Sequence, residues 1–122
     1  MKNQAADIVH AYLDAIAARD FQRARSFLSD HDFSTRSPIS TFDSADAYVA
    51  DISRIGPILE NIERRKIFVD GEDVCAILDY VTRMDQRQVS PVAHWFHLAR
   101  GKITSIESFF DARGYAEMFD VE

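Results

Sequence analysis

The hydrophobic pattern changes period once, near residue 60, and that change constrains the fold more than any other feature of the chain. Before it, apolar residues recur at three- and four-residue intervals. Ala5, Ile8, Val9, Tyr12, Leu13, Ile16 and Ala17 draw one stripe down a first helix of about four turns. Asp20 predicts the N-cap of a second, short helix with Phe21, Ala24, Phe27 and Leu28 turned inward. Ser44 or Asp43 predicts the cap of a third, with Ala47, Tyr48, Ile52 and Ile55 inward and Gly56 and Pro57 closing it. The intervening "SDHDFSTRSPIST" is loop-rich in Ser, Thr, Asp and Pro, with a short strand expected at Phe33 to Arg36.

After residue 60, "NIERRKIFVDGEDVCAILDYVTRM" is rich in β-branched residues and interrupted by Asp70-Gly71, a hairpin signal. "DQRQVSP" reads as a polar connector and "RGK" at Arg100 to Lys102 as a tight turn. Strands are therefore expected at about residues 91–99 and 102–110, followed by a short closing segment "ARGYAEMF". Helices followed by an antiparallel meander define an α+β fold, here expected as a single domain over residues 1–122. On the strand containing "PVAHWFHLAR", His94 shares a face with Val92, Phe96 and Leu98, and His97 shares the other with Ala93, Trp95 and Ala99. Both faces are apolar, so periodicity alone does not choose the inner one.

Composition narrows the function classes. A net charge of −6, with no basic cluster beyond "ERRK" at Glu63 to Lys66, argues against nucleic acid as a partner. The single cysteine, Cys75, cannot form an internal disulfide, and "MKNQAADIVH" has no apolar run of the kind a secretion signal needs, so a cytoplasmic location is expected. No stretch approaches the roughly 18 apolar residues of a membrane helix. His94 and His97 point apart and cannot share a metal, and no His/Cys/Asp cluster has zinc or iron spacing, so no metal or cofactor is expected. Phosphate loops and nucleophile elbows are missing.

Three stretches resemble the nuclear transport factor 2-like superfamily of small α+β cones, which includes ketosteroid isomerases, limonene epoxide hydrolases and SnoaL-like polyketide cyclases. They are "AYLDAIAARDFQRARSFLSD", "VDGEDV" before a long strand, and "FHLARGKITSIESFFD". The resemblance covers nearly the whole chain and implies a cone-shaped antiparallel sheet wrapped around three N-terminal helices. It identifies the fold better than the reaction, because the same cone hosts isomerases, hydrolases, cyclases and plain binding modules. It implies pocket-facing positions at Val92, His94, Phe96 and Leu98, at Ile106, Ser108 and Phe110, and at Cys75, Ile77, Asp79 and Val81, with Tyr48 on the third helix. Leu78 and Tyr80 then fall on an outer face through which such cones often dimerise. Tyr12 takes the place of the isomerases' oxyanion-binding tyrosine.

If Met84 pairs with Val89 across "DQRQ", Asp79 and His94 are direct cross-strand neighbours, about 5 Å apart at Cβ, and form a candidate acid/base pair. The family's known catalytic sets are incomplete, however. Ser37-Pro38 replaces the isomerases' Asp-Pro step, Ser108 replaces a last-strand aspartate, and Ile77 replaces the epoxide hydrolases' arginine. Asp111 is expected to cap the closing segment, and His10, His31 and His97 to lie at the surface.

Two functions remain open on the sequence. One is a cofactor-independent acid/base enzyme of the isomerase, cyclase, dehydratase or hydrolase type. It would act on a hydrophobic, cyclic substrate with Asp79, His94 and Tyr12 as catalytic groups, Ser108 as hydrogen-bond donor, and Phe96, Phe110, Ile106, Ile77, Val81, Leu98 and Tyr48 as lining. The other is a non-catalytic ligand-binding or dimeric assembly module. A homodimer through the sheet is expected in either case.

Overall fold

The computed structural model describes residues 4–113. Helix α1 spans Gln4–Ala17, α2 Phe21–Ser26 and α3 Ala45–Ile52; strands β1 and β2 are Ser34–Arg36 and Thr41–Phe42. Four long strands follow, β3 Leu59–Asp70, β4 Asp73–Arg83, β5 Arg87–Ala99 and β6 Lys102–Phe110. They form one six-stranded sheet in the order β2-β1-β6-β5-β4-β3, curved and unclosed. This is the α+β fold that the change of period predicts, with the curved sheet that the resemblance implies. The closing segment "ARGYAEMF" lies outside the described residues from residue 114 onward.

The helices form where the stripe and the caps agree. Val9, Tyr12, Leu13 and Ile16 are buried on α1, and Arg19 beyond its end takes φ 61°, the left-handed conformation that commonly stops a helix. The Asp20 side chain accepts from the Arg23 N–H and the Ser44 hydroxyl from the Ala47 N–H, so each satisfies a donor that the first turn leaves free. Ser44, not Asp43, is the cap of α3. Its buried stripe runs through Ala45, Tyr48, Val49 and Ile52. Ala47, expected inward, is exposed because it lies off that stripe. The third helix also stops early, at Ile52, and continues as a 3₁₀ segment over Ser53–Ile58. A Cβ at Gly56 would lie 3.1 Å from the Phe21 ring, which would have to shift by a few tenths of an ångström to admit it.

Curvature comes from the register. β3 slips against β4 between Leu59 and Asn61 and again between Arg64 and Lys66, and β5 slips against β6 between His97 and Leu98. Such bulges bend a strand and increase its twist. The β5–β6 turn is two residues, Arg100 and Gly101, both at positive φ (53° and 78°), the geometry that matches right-handed strand twist. Gly71 (φ 62°) serves the β3–β4 turn, as the Asp70-Gly71 signal predicts. The concave face packs on α1 around Leu13, Leu28, Val74, Leu78, Phe96, Leu98, Ile103 and Ile106. No helix among the described residues is long and apolar enough to cross a membrane.

One expected register is corrected. β4 and β5 meet through Arg83↔Arg87, with a three-residue loop, so "RQVS" is strand rather than connector. Asp79 therefore pairs with Pro91, and His94 with Ala76 on one side and Ser108 on the other. The offset from the expected pairing is three residues, an odd number, and an odd slip exchanges the faces of a strand.

Candidate functional site

His94 is one of few polar residues inside the cone, 8% exposed, and its neighbours come from the strands on either side. Ser108 stands directly opposite on β6, and its hydroxyl lies 2.7 Å from His94 Nδ1. On the β4 side the opposite residue is Ala76, whose methyl group offers the ring nothing polar. The partner there is Tyr80, further along the same face, whose hydroxyl reaches His94 Nε2 at 3.0 Å. One imidazole thus bridges two hydroxyls. Phe96 packs edge-on against both His94 and Tyr12, with ring centroids at 5.6 and 5.8 Å. The Tyr12 phenol hydrogen-bonds with Tyr48, which is itself held between Phe33 and Phe42.

Burial sets the charge state of the whole group. It pushes the His94 ring down to about 4, so the imidazole is neutral at pH 7. Burial likewise raises the phenols of Tyr80 and Tyr12, with the neighbouring Tyr48 adding to both. A neutral imidazole has one donor and one acceptor nitrogen, so two hydroxyls satisfy it completely. Every buried side-chain nitrogen and oxygen among the described residues has a partner. The site is polar, uncharged and internally satisfied.

The expected site residues separate by face. His94, Ser108, Phe96, Leu98, Ile106, Tyr12 and Tyr48 are brought together on or against the concave side, with Val92 and Phe110 half-buried in the same alternation. Asp79 is not among them. It faces away from His94 and lies 3.8 Å from Arg65, so the expected Asp79–His94 pair does not form. Cys75 and Ile77 share that outer side, and Val81, though buried, alternates with Tyr80 and Thr82 and so belongs to the Asp79 set. Conversely, Leu78 is fully buried and Tyr80 is inward, where the sequence reading put both outside.

Tyr80 is the member of this buried group that the sequence reading placed outside. The available signal was the cost of burying a carboxylate. The set Val74, Ala76, Leu78, Tyr80 carries no charge, whereas Cys75, Ile77, Asp79, Val81 would take Asp79 into an apolar interior. His97 lies outside, as expected, its Nδ1–H donating to the Asp73 carboxylate at 2.8 Å; Trp95 Nε1 donates to the same carboxylate oxygen at 2.9 Å. Asp111 accepts from the Arg113 N–H at 3.1 Å, and its contacts with Arg113 hold the carboxyl down to about 2. Ser37 spends its polar groups on Ser40 in the β1–β2 turn. No group of three or more His, Cys, Asp or Glu that could hold a metal ion occurs among the described residues. A separate hollow of ≈ 240 Å³, where the Gly71 and Gly101 turns meet the start of α1, is lined by Gln4, Ala5, Ile8, Glu72 and Leu98 and does not include Tyr80, His94 or Ser108.

Solved structures with this architecture are numerous. A nuclear transport factor 2-like protein of unknown function from Cytophaga hutchinsonii is 24% identical with a TM-score of 0.79, covering 94% of this chain and 96% of its own. An epoxide hydrolase of the limonene epoxide hydrolase-like type from M. tuberculosis is 21% identical with a TM-score of 0.77, covering 89% and 84%. A protein from Catenulispora acidiphila with a ketosteroid isomerase-like fold, solved with trimethylamine, is 15% identical with a TM-score of 0.76, covering 94% and 93%. At these identities the likeness establishes the fold and not the reaction. No curated protein is a significant match to the sequence. The model of the SnoaL-like domain matches residues 9–106, from the first buried turn of α1 to the strand that carries Ser108, and the chain belongs to that family.

Proposed function

We propose that this protein binds an uncharged, largely apolar small molecule within the cone and recognises a hydroxyl or carbonyl oxygen on it through Tyr80, His94 and Ser108. The observation that carries this reading is the imidazole held neutral between two hydroxyls on an otherwise aromatic and aliphatic wall. A charged ligand group would meet no counter-charge there and would lose its hydration, whereas a neutral oxygen would trade water for hydroxyl partners. If the protein is an enzyme, His94 is its acid/base group and acts without a carboxylate partner, and Tyr12 keeps its phenol on Tyr48. Asp79 has no part in it.

The test is fluorescence titration with 2-naphthol and with 2-naphthoate at pH 7. We expect 2-naphthol to bind at least tenfold more tightly and His94→Leu to remove the preference. Equal binding, or tighter binding of the carboxylate, would overturn the reading.

The outer face supports a second element, a homodimer through the sheet. Phe68, Trp95 and Phe109 are exposed together around a shallow hollow of ≈ 300 Å³ that also includes Cys75. Of the outer-face residues the sequence suggested for this contact, Trp95 remains. Covering such a patch with a second copy removes apolar surface from water on both sides. Sedimentation velocity should give a dimer at micromolar concentration and a monomer for Trp95→Glu; a monomeric parent protein would remove the claim. A cytoplasmic location is part of the same proposal, supported by the single cysteine.

A further inference from the structure

We propose that Tyr80, His94 and Ser108 form a reversible proton relay whose two tautomeric states serve the hydroxy and keto forms of one bound molecule. The inference rests on the ligand reading above and extends it from recognition to a class of reaction, a proton shift between two separated atoms of the same ligand.

The argument is an inventory of hydrogens. With His94 neutral, only one of the two flanking hydroxyls can donate to the ring, and the other must accept from it. In the first state Tyr80 donates to Nε2, Nδ1–H donates to Ser108, and the Ser108 hydrogen is free to reach a ligand acceptor. In the second state Ser108 donates to Nδ1, Nε2–H donates to Tyr80, and the Tyr80 hydrogen is free instead. The site therefore offers a donor at one hydroxyl or at the other, and never at neither.

Passing between the states moves a proton from end to end. A ligand X–H gives its proton to the Tyr80 oxygen as Tyr80 gives its own to Nε2. Nδ1–H passes to the Ser108 oxygen, and the Ser108 hydrogen passes to a second ligand atom. Four bonds to hydrogen form and four break, the ligand is isomerised, and no group is left charged. The ring is left in the opposite tautomer, and water molecules joining the two hydroxyls reset it by carrying one proton from the Tyr80 oxygen back to the Ser108 oxygen as the same steps run backward. The two hydroxyls stand on opposite sides of an imidazole, so the exchanging atoms must lie several bonds apart. A conjugated, multi-ring oxygenated molecule meets that requirement.

The surroundings support a neutral relay. The titratable groups packed near the chain are Tyr12 and Tyr48, both phenols, and no carboxylate or guanidinium hydrogen-bonds to any of its three members among the described residues. Nothing there would trap an imidazolium.

Nitrogen-15 NMR of the His94 ring, which distinguishes a protonated nitrogen from a bare one, tests the proposal with and without ligand. In the ligand-free protein the ring should exchange between its two tautomers, so both nitrogen shifts should be intermediate and should move in opposite directions with temperature. One fixed tautomer across the range would overturn the relay whatever the protein binds. With probe added, 2-naphthol, which can donate, and 2-acetylnaphthalene, which can only accept, should give different tautomer populations at saturation. Binding of both with one unchanged tautomer would overturn the relay and leave the ligand reading standing. If neither probe binds, the ligand reading fails, and the ligand-free spectrum still decides the relay.

Discussion

His94 and His97 are the same residue three positions apart on one strand, and the sheet gives them opposite chemistry. His94 sits on the concave face among Phe96, Tyr12 and Tyr80, where burial lowers its proton affinity and two hydroxyls exhaust its hydrogen-bonding capacity. His97 sits on the convex face beside Trp95, in contact with Asp73, and solvent reaches it. The carboxylate that would make a histidine a strong base is present at the exposed ring and absent at the buried one. A reactive-looking Asp–His contact is therefore a surface pair here, while the buried ring has only neutral partners. Proximity of residue types says little until the face is known.

The comparison can be broken at several points. The largest effect is expected from packing. Phe96→Ala should lower stability by about 3–5 kcal/mol in chemical denaturation, because a fully buried ring leaves a cavity against Tyr12 and His94. Trp95→Ala, at the adjacent position on the other face, should cost less than about 0.5 kcal/mol in the monomer. Comparable losses at both positions would show that the convex face is also core.

Next is pH. The folded His94 titrates near 4 and the unfolded one near 6.5, so both states are neutral above pH 6.5 and the ring contributes nothing to the pH dependence there. As pH falls from 6.5 to 4 the unfolded state takes up a proton that the folded state refuses, and stability should drop by roughly 3 kcal/mol before levelling. Thermal melts across that range should show the slope in the parent protein and a flatter one in His94→Gln. A slope that survives His94→Gln unchanged would show that the buried ring is not its source.

Smaller still is the cost of one hydrogen bond. Ser108→Ala leaves Nδ1 of a buried ring without its partner and should cost about 1–3 kcal/mol, read by denaturation. His97→Ala and Asp79→Asn should each lie within about 0.5 kcal/mol and leave 2-naphthol binding unchanged, since both side chains face away from the cone. A large loss of binding with Asp79→Asn would place its carboxylate back in the site.

How much was legible follows from which interactions are local. Helix α1, the Asp20 cap and the Gly71 and Arg100-Gly101 turns are set by residues within a few positions of one another, and each was readable. The strands of the meander were also readable from their β-branched runs, and His94 was placed inward once the resemblance supplied the register of the last two strands. Asp79 and Tyr80 were exchanged because the resemblance was registered on the wrong face of β4, and an expected four-residue β4–β5 loop, where the structure has three, agreed with that register. Nothing in "RMDQRQV" distinguishes those lengths, and the difference turns every side chain of β4 over.

The sequence by itself determined the class of fold and the position of its elements, because period and caps are properties of short stretches. Only the tertiary structure decided that His94 meets Tyr80 and Ser108 rather than Asp79. That choice depends on the pairing of three strands and on where the bulges shift them, and free energy settles it by keeping the aspartate in water and leaving hydroxyls to satisfy the buried ring.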